Sequence, residues 1–217
     1  MFFKAALFDM DGVIVNTEPL HRKAYFEMFK HYDMKVSDEL YNSFTGNATL
    51  KVCQDLVRIF ELSCNPQELI DKKRERFKHL FDTDDEFDLI PGVQKLIENY
   101  HQNNIKMVLA SSASRNTINW VFDRFNLNDY FIGKLSGAEL TASKPHPEIF
   151  ELAAKKAEEP VENCIVIEDS TNGIKAAHAA GIYCVAYKSQ HSKNQQYDLA
   201  QKVISDYREI FVDKDFF

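Results

Sequence analysis

Acidic residues follow two of the apolar segments of this 217-residue chain. Asp9 and Asp11 lie two positions apart at the end of the run 5–9, and Asp169 follows the run 164–168. Two carboxylates that close repel each other unless a cation or a proton lies between them. Three hard oxygen ligands suit Mg²⁺, which also accepts phosphate oxygens. The residues therefore predict a Mg²⁺ site, and the partner acid Asp169 disfavours the alternative of a plain surface turn.

Two further segments carry groups that could bind an anion. Ser111 and Ser112 follow the apolar run 105–110 and precede a helical pattern, where hydroxyls and unpaired backbone N–H groups attract anions. Taken alone, a serine in that place is more often only a helix cap. Lys144, which precedes Pro145, could neutralise a phosphate or restrain a carboxylate, although a lone lysine is usually solvated.

Short apolar runs alternate with helical patterns along most of the chain. The runs predict buried strands at 5–9, 105–110, 164–168 and 182–186. The helical patterns lie at 92–102, 114–126, 146–157 and 171–180. This alternation predicts a doubly wound, mostly parallel α/β sheet covered by helices on both faces. Ligands of such sheets bind beyond the carboxyl ends of the strands, where the acids and serines lie.

Residues 17–88 break this alternation, because they show helical periodicity and no convincing strand. We therefore expect an α-helical cap domain at 17–88, inserted into a catalytic core that consists of 1–16 and 89–217. The acidic stretch 82–88 is expected to belong to the linker. The active site is expected between core and cap.

The composition argues against several classes of function. The 26 Lys and Arg against 33 Asp and Glu give a formal net charge of −7, which disfavours binding to nucleic acids or anionic membranes. No apolar run approaches the roughly 20 residues of a membrane span. The four cysteines form neither a zinc motif nor a disulfide framework, so we expect reduced thiols and a cytoplasmic protein. A monomer is expected, since no large apolar patch is evident.

The chain resembles the haloacid dehalogenase (HAD) superfamily over nearly its whole length. The resemblance rests on four motifs in the superfamily's order: Asp9-Met10-Asp11-Gly12-Val13, Ser111, Lys144-Pro145 and Glu168-Asp169-Ser170. It implies a Rossmann-like HAD core with an inserted helical cap. It also implies that Asp9 is a nucleophile that forms an aspartyl-phosphate and that Asp11 is the general acid and base. The implied phosphate ligands are Ser111, Ser112 and Lys144, and the implied Mg²⁺ ligands are Asp9, Asp11, Glu168 and Asp169.

Within the superfamily, segments 143–147 and 168–173 are similar to the β-phosphoglucomutase-like and sugar-phosphate phosphatase group. The resemblance implies a Mg²⁺-dependent phosphatase acting on a small phosphate ester, with a sugar phosphate expected. Asp11 favours phosphoryl transfer over dehalogenation, since an alkoxide leaving group needs a proton and a halide does not. A catalytically silent binding module is disfavoured because the implied catalytic residues are all present.

Residues of the predicted cap help to distinguish the phosphatase from the alternative function, a β-phosphoglucomutase. Mutases carry a cap arginine that binds the second phosphate of the sugar, and Thr49 stands at that position here, which favours the phosphatase. His21 matches a histidine in the first cap helix of mutases. The substrate-positioning lysine of the mutase cap corresponds to Lys72 or Lys73, and Lys73 has the better register. The basic run 72–76 is nevertheless more often a solvated helix face, and His21 could equally bond to backbone.

Overall fold

The computed structural model describes residues 3–44, 49–189 and 194–212. The chain divides into two compact units, one formed by 1–16 and 88–217 and the other by 17–87. The strands are β1 (Ala5–Phe8), β2 (Lys106–Ser111), β3 (Gly133–Ser136), β4 (Cys164–Glu168), β5 (Tyr183–Tyr187) and β6 (Lys202–Ile204). The helices are α1 (Glu18–His31), α2 (Asp38–Ser43), α3 (Thr49–Ile59), α4 (Pro66–Thr83), α5 (Val93–Gln102), α6 (Arg115–Arg124), α7 (Glu148–Ala157) and α8 (Thr171–Ala179).

The larger unit contains a six-stranded sheet in the order β3-β2-β1-β4-β5-β6, and every pair of neighbours is parallel. From β1 the chain winds outward through β2 and β3, and from β4 it winds outward in the other direction. This is the doubly wound order in which ligands bind where the winding reverses, at the carboxyl ends of β1 and β4. The predicted fold class is confirmed.

Successive side chains of β1 lie on opposite faces of the sheet. Leu7 belongs to an apolar cluster that includes Phe150 of α7 and Ile174 of α8. The ring of Phe8 contacts Tyr100 of α5, with 6.1 Å between the ring centroids. Both faces are therefore covered by helices, as a buried parallel sheet requires.

The smaller unit, residues 17–87, consists of α1 to α4 around an apolar cluster of its own. Met28, Leu56 and Leu69 are fully buried in that cluster and come from three different helices. The predicted linker 82–88 differs in part, because α4 continues to Thr83 and Phe87 is buried. In the described part of the chain, no helix is long and apolar enough to cross a membrane.

Candidate active site

Asp9 lies one residue past β1, at the point where the winding of the sheet reverses. Its backbone N–H donates to the carbonyl of Ile167 in β4 at 3.0 Å, which extends the β1–β4 pairing by one step. Asp169 lies one residue past β4. Two of the predicted acids are thus placed by neighbouring strands at the same edge of the sheet, where the sequence predicted them.

The loop after Asp9 turns back on itself tightly. The carbonyl of Met10 accepts from the N–H groups of Ile14 at 2.7 Å and Val15 at 3.1 Å, and Gly12 N–H donates to the Val15 carbonyl at 2.8 Å. Gly12 has a φ of +83°. A Cβ atom on Gly12 would lie 2.1 Å from Oδ2 of Asp169, so only glycine lets this carboxylate approach the loop.

Lys144 links the nucleophile candidate to the second strand end. Its Nζ lies 2.5 Å from Oδ1 of Asp9 and 2.8 Å from Oε1 of Glu168, over the ring of Phe150 at 4.8 Å. The Lys144 side chain is only 5% exposed. Burial disfavours its charge, but Asp9 and Glu168 outweigh that effect and raise the pKa of Lys144, so the ammonium remains charged.

Burial raises the pKa of Asp9 well above its usual range, and the ammonium of Lys144 opposes that rise. The neighbouring carboxylates of Glu168 and Asp169 raise the pKa of Asp9 further. The site is therefore short of positive charge. An added cation would favour the ionised form of Asp9, which is the form that a nucleophile needs.

Glu168 is fully buried and both of its carboxylate oxygens have partners. Oε1 accepts from Lys144, and Oε2 accepts from Asp169 N–H at 2.8 Å, Ser170 N–H at 2.7 Å and Ser170 Oγ at 2.9 Å. A Cβ atom on Gly173, in the first turn of α8, would lie 1.6 Å from Oε1. Metal ligation by Glu168 stays a prediction, and these contacts favour a role in holding Lys144 and the Asp169 backbone.

The two predicted phosphate-binding serines differ in exposure. Ser111 is the last residue of β2 and is buried, and its Oγ accepts from Ala113 N–H at 3.1 Å. Ser112 is exposed. The N-cap of α6 is Ser114, whose Oγ accepts from Thr117 N–H at 3.3 Å. The alternative that Ser111 or Ser112 serves only as a helix cap is therefore wrong, and phosphate binding by both stays a prediction.

The donor set around Asp9 fits Mg²⁺. Among the residues that the structure describes, no group of three His, Cys, Asp or Glu side chains could hold a metal ion by itself. Mg²⁺ does not require such a cage, since it keeps several waters and binds proteins through one or two carboxylates. Asp9 and Asp169 supply two carboxylates, and the close approach of Asp169 to Gly12 sets it against the loop that carries Asp11.

In the helical unit, His21 and Lys73 are brought together although 51 residues separate them in the sequence. Lys73 Nζ lies 2.9 Å from His21 Nδ1, and the His21 ring stacks on Phe77 with centroids 4.3 Å apart. Lys73 is 6% exposed, so the solvated-face interpretation of the run 72–76 is wrong for this residue. Lys72 is half-buried and pairs with the exposed Glu75 at 2.7 Å.

The buried surroundings of His21 and Lys73 favour the uncharged forms of both side chains. Burial lowers the pKa of His21 to about 3, and the adjacent Lys73 contributes to that shift. Burial also lowers the pKa of Lys73 to about 8, against the opposing effects of Cys53 and Glu18. A buried amine with a lowered pKa is typical of functional sites.

Thr49, the residue at the predicted arginine position, begins α3, and its side chain is hydrogen-bonded to Tyr25. In mutases a glycine-containing loop precedes the arginine, and the corresponding residues here, 45–48, lie outside the described residues. Tyr25 shares a helical spacing with Phe26 and Phe29, which predicts that it belongs to the core of the cap. Its ring does pack on Phe29 at 5.9 Å, but its hydroxyl faces a polar partner, which an apolar helical pattern does not reveal.

One residue near the loop after Asp9 was not predicted from the sequence. Tyr207 is fully buried, and its hydroxyl donates to the carbonyl of Val13 at 2.6 Å. The two residues are 194 positions apart in the chain, and no motif marks Tyr207. Only the tertiary structure reveals this contact.

The chain belongs to the haloacid dehalogenase-like hydrolases, because the model of that family matches residues 3–181. A phosphorylated carbohydrates phosphatase of Thermotoga maritima is 29% identical over 194 residues, which cover 88% of this chain and 87% of that protein. The crystal structure of CbbY from Rhodobacter sphaeroides in complex with phosphate has a TM-score of 0.80 at 25% identity and covers 96% of each chain. A β-phosphoglucomutase from Clostridium difficile has a TM-score of 0.74 at 25% identity, with 99% of this chain and 95% of that one covered.

Proposed function

We propose that this protein is a Mg²⁺-dependent phosphatase that hydrolyses a small sugar phosphate through a phosphorylated Asp9. The observation that carries the proposal is the buried contact of Lys144 with Asp9 at the reversal point of the sheet. A phosphate dianion is repelled by a carboxylate nucleophile unless positive charge screens the approach. Lys144 provides one such charge at the nucleophile itself, and a carbohydrate phosphatase is among the relatives.

The remaining residues take complementary roles in this proposal. Asp9 attacks the phosphorus while the bond to the leaving oxygen breaks, and Asp11 donates a proton to that oxygen. Asp11 then accepts a proton from the water that hydrolyses the aspartyl-phosphate. Ser111 and Ser112 bind the phosphate oxygens.

Mg²⁺ would be held by the carboxylates of Asp9 and Asp169 and by the backbone carbonyl of Asp11. When bound, it neutralises negative charge on the nucleophile and on the transferring phosphoryl group. We further propose that the enzyme works in the cytoplasm, since its four cysteines, all within the described residues, are free thiols.

A β-phosphoglucomutase is the second candidate, and the contact of His21 with Lys73 favours it. The hydroxyl of Thr49 cannot supply the charge with which an arginine would bind a second phosphate. We therefore propose water, and not a sugar phosphate, as the acceptor of the phosphoryl group.

The test is a phosphate-release screen with Mg²⁺ against a panel of sugar phosphates that includes β-glucose 1-phosphate. A parallel reaction with a trace of glucose 1,6-bisphosphate measures glucose 6-phosphate formation. We expect free phosphate from one or a few esters, its loss on chelation of Mg²⁺, and its restoration by added Mg²⁺. Asp9→Asn, which keeps the shape of the side chain, should abolish turnover while the circular dichroism spectrum is unchanged.

Three results would contradict this proposal. An active Asp9→Asn protein would exclude the aspartyl-phosphate. Full activity in the presence of a chelator would exclude the metal requirement. Glucose 6-phosphate without free phosphate would establish the mutase and show that Thr49 does not prevent it.

A further inference from the structure

The loop that carries Asp11 has an anchor at its far side. Val13 lies two residues after Asp11, is fully buried, and its carbonyl accepts the 2.6 Å hydrogen bond from the Tyr207 hydroxyl. Within the loop, Met10 accepts from Ile14 and Val15, which fixes the turn itself. The bond from Tyr207 ties that turn to a different part of the unit.

Tyr207 is itself held rigidly. Its ring stacks on Tyr187 with centroids 4.4 Å apart and an interplanar angle of 9°. It begins a short 3₁₀ turn, Tyr207–Ile210, which Asp206 caps by accepting from Arg208 N–H at 2.8 Å. The end of the same turn is tied to α5, because the Tyr100 hydroxyl donates to the Ile210 carbonyl at 3.0 Å. A donor on such a fixed support can hold a loop in one geometry.

We infer that Tyr207 is a positioning residue that holds Asp11 in register with Asp9 through the Val13 carbonyl. The inference rests on the proposed function, in which Asp11 gives a proton to the leaving oxygen. Proton transfer needs heavy atoms within hydrogen-bond reach, so a displaced loop slows it. Tyr207 lies beyond residue 181, where the match to the family model ends, so the match does not account for this contact.

The variant Tyr207→Phe removes the hydroxyl and keeps the stacked ring. Tyr100→Phe is the matched control, since it also removes one buried tyrosine bond to a backbone carbonyl, on the same 3₁₀ turn but away from the loop. Both variants should lose similar thermal stability. Only Tyr207→Phe should weaken the role of Asp11.

Two substrates separate positioning from general damage. The sugar phosphate with the fastest release in the screen has an alkoxide leaving group that needs a proton, whereas p-nitrophenyl phosphate loses a phenolate that does not. The ratio kcat/KM reports the transfer to Asp9, the step in which the leaving group departs. Tyr207→Phe should lower kcat/KM about 10-fold for the sugar phosphate, less than the roughly 100-fold that a full 1 Å misplacement can cost. For p-nitrophenyl phosphate the loss should stay within about 2-fold.

Hydrogen exchange measured by mass spectrometry provides a readout without turnover. Exchange in the peptide that covers residues 9–15 should accelerate in Tyr207→Phe and not in Tyr100→Phe. Equal losses on both substrates, or unchanged exchange in that peptide, would overturn the inference. If the wild-type protein hydrolysed no ester, the proposed function and the role of Asp11 would both fail. Accelerated exchange in Tyr207→Phe would still show that the hydrogen bond from Tyr207 restrains the loop.

Discussion

Lys73 gives the least expected prediction, because its removal should stabilise the protein. Lys73 is 6% exposed, and the near neighbours of its ammonium are the His21 ring nitrogen at 2.9 Å and the faces of Tyr25 at 5.1 Å and Phe77 at 5.3 Å. None of these three groups carries a full negative charge at neutral pH, and the attraction of Glu18 does not offset the cost of burial. We therefore expect Lys73→Met, which fills a similar volume without the charge, to be more stable than the wild type at pH 7.

The magnitude follows from the lowered pKa of Lys73. The difference between about 8 and the usual 10.5 corresponds to about 3 kcal/mol, since one pKa unit is about 1.36 kcal/mol. The variant also loses the bond to His21 and the contacts with two rings, at about 1–2 kcal/mol together. The net expected gain in the free energy of unfolding is about 1–2 kcal/mol at pH 7.

The lowered pKa of Lys73 also determines how the stability of the wild type changes with pH. Below pH 8 the lysine is charged in both the folded and the unfolded chain, so the cost of burying the charge is fully present. Between pH 8 and 10.5 the folded chain releases the proton while the unfolded chain keeps it, so wild-type stability rises with pH. The advantage of Lys73→Met should therefore shrink through this window and vanish or reverse by its upper end.

Urea unfolding followed by circular dichroism at several pH values between 7 and 9.5 measures this difference directly. Lys72→Met is the control, because that lysine pairs with an exposed Glu75, and its effect should stay within about 0.5 kcal/mol. A difference between variant and wild type that does not change with pH, or a variant less stable at pH 7, would refute the reasoning.

Two further substitutions test the charged cluster at the carboxyl ends of the strands. Lys144→Met leaves the carboxylates of Asp9 and Glu168 buried without their shared cation, so urea unfolding should show a loss of about 3 kcal/mol. Phosphate release should fall at least 100-fold, because the charge that stabilises the transferring phosphoryl group is lost. A variant as stable as the wild type would contradict this role of Lys144. Gly173→Ala should add about 1 kcal/mol from helix propensity. However, the new Cβ would lie 1.6 Å from Glu168 Oε1, so we expect a net loss of stability and activity. A stabilised and active variant would show that the position of the Glu168 carboxylate against Gly173 is not required.

The sequence predicted the inner elements of the sheet better than its edges. β1, β2, β4 and β5 match the four predicted apolar runs to within one residue at each end, because strands buried on both faces are continuously apolar. The edge strands β3 (Gly133–Ser136) and β6 (Lys202–Ile204) were not predicted. They are four and three residues long and only partly buried, so the apolar signal is too short to detect.

In the candidate site, the positions of residues after strands could be predicted from the sequence, whereas the contacts between distant residues could not. Asp9, Ser111 and Asp169 could be placed at one edge of the sheet, because their positions after strands are a local property of the sequence. The two carboxylates that Lys144 would bind could not be predicted, since the loop that carries it contains no regular element of its own. The choice of Lys73 over Lys72 rested on resemblance, and burial beside His21 gives it a physical basis.

The balance of charge at the candidate site supports the divalent cation that we propose for it. Three carboxyl groups, those of Asp9, Glu168 and Asp169, lie near one ammonium, that of Lys144, so the acidic groups outnumber the cationic group by two. At an effective dielectric constant of 20, two unit charges 4 Å apart interact by about 4 kcal/mol, so a dianion facing this excess would be strongly repelled. One divalent cation makes the four groups neutral overall, whereas a second lysine would leave an excess of one. Because Glu168 already binds Lys144 and the Asp169 backbone, we propose Asp9 and Asp169, the two acids that follow neighbouring strands, as the carboxylate ligands of that cation.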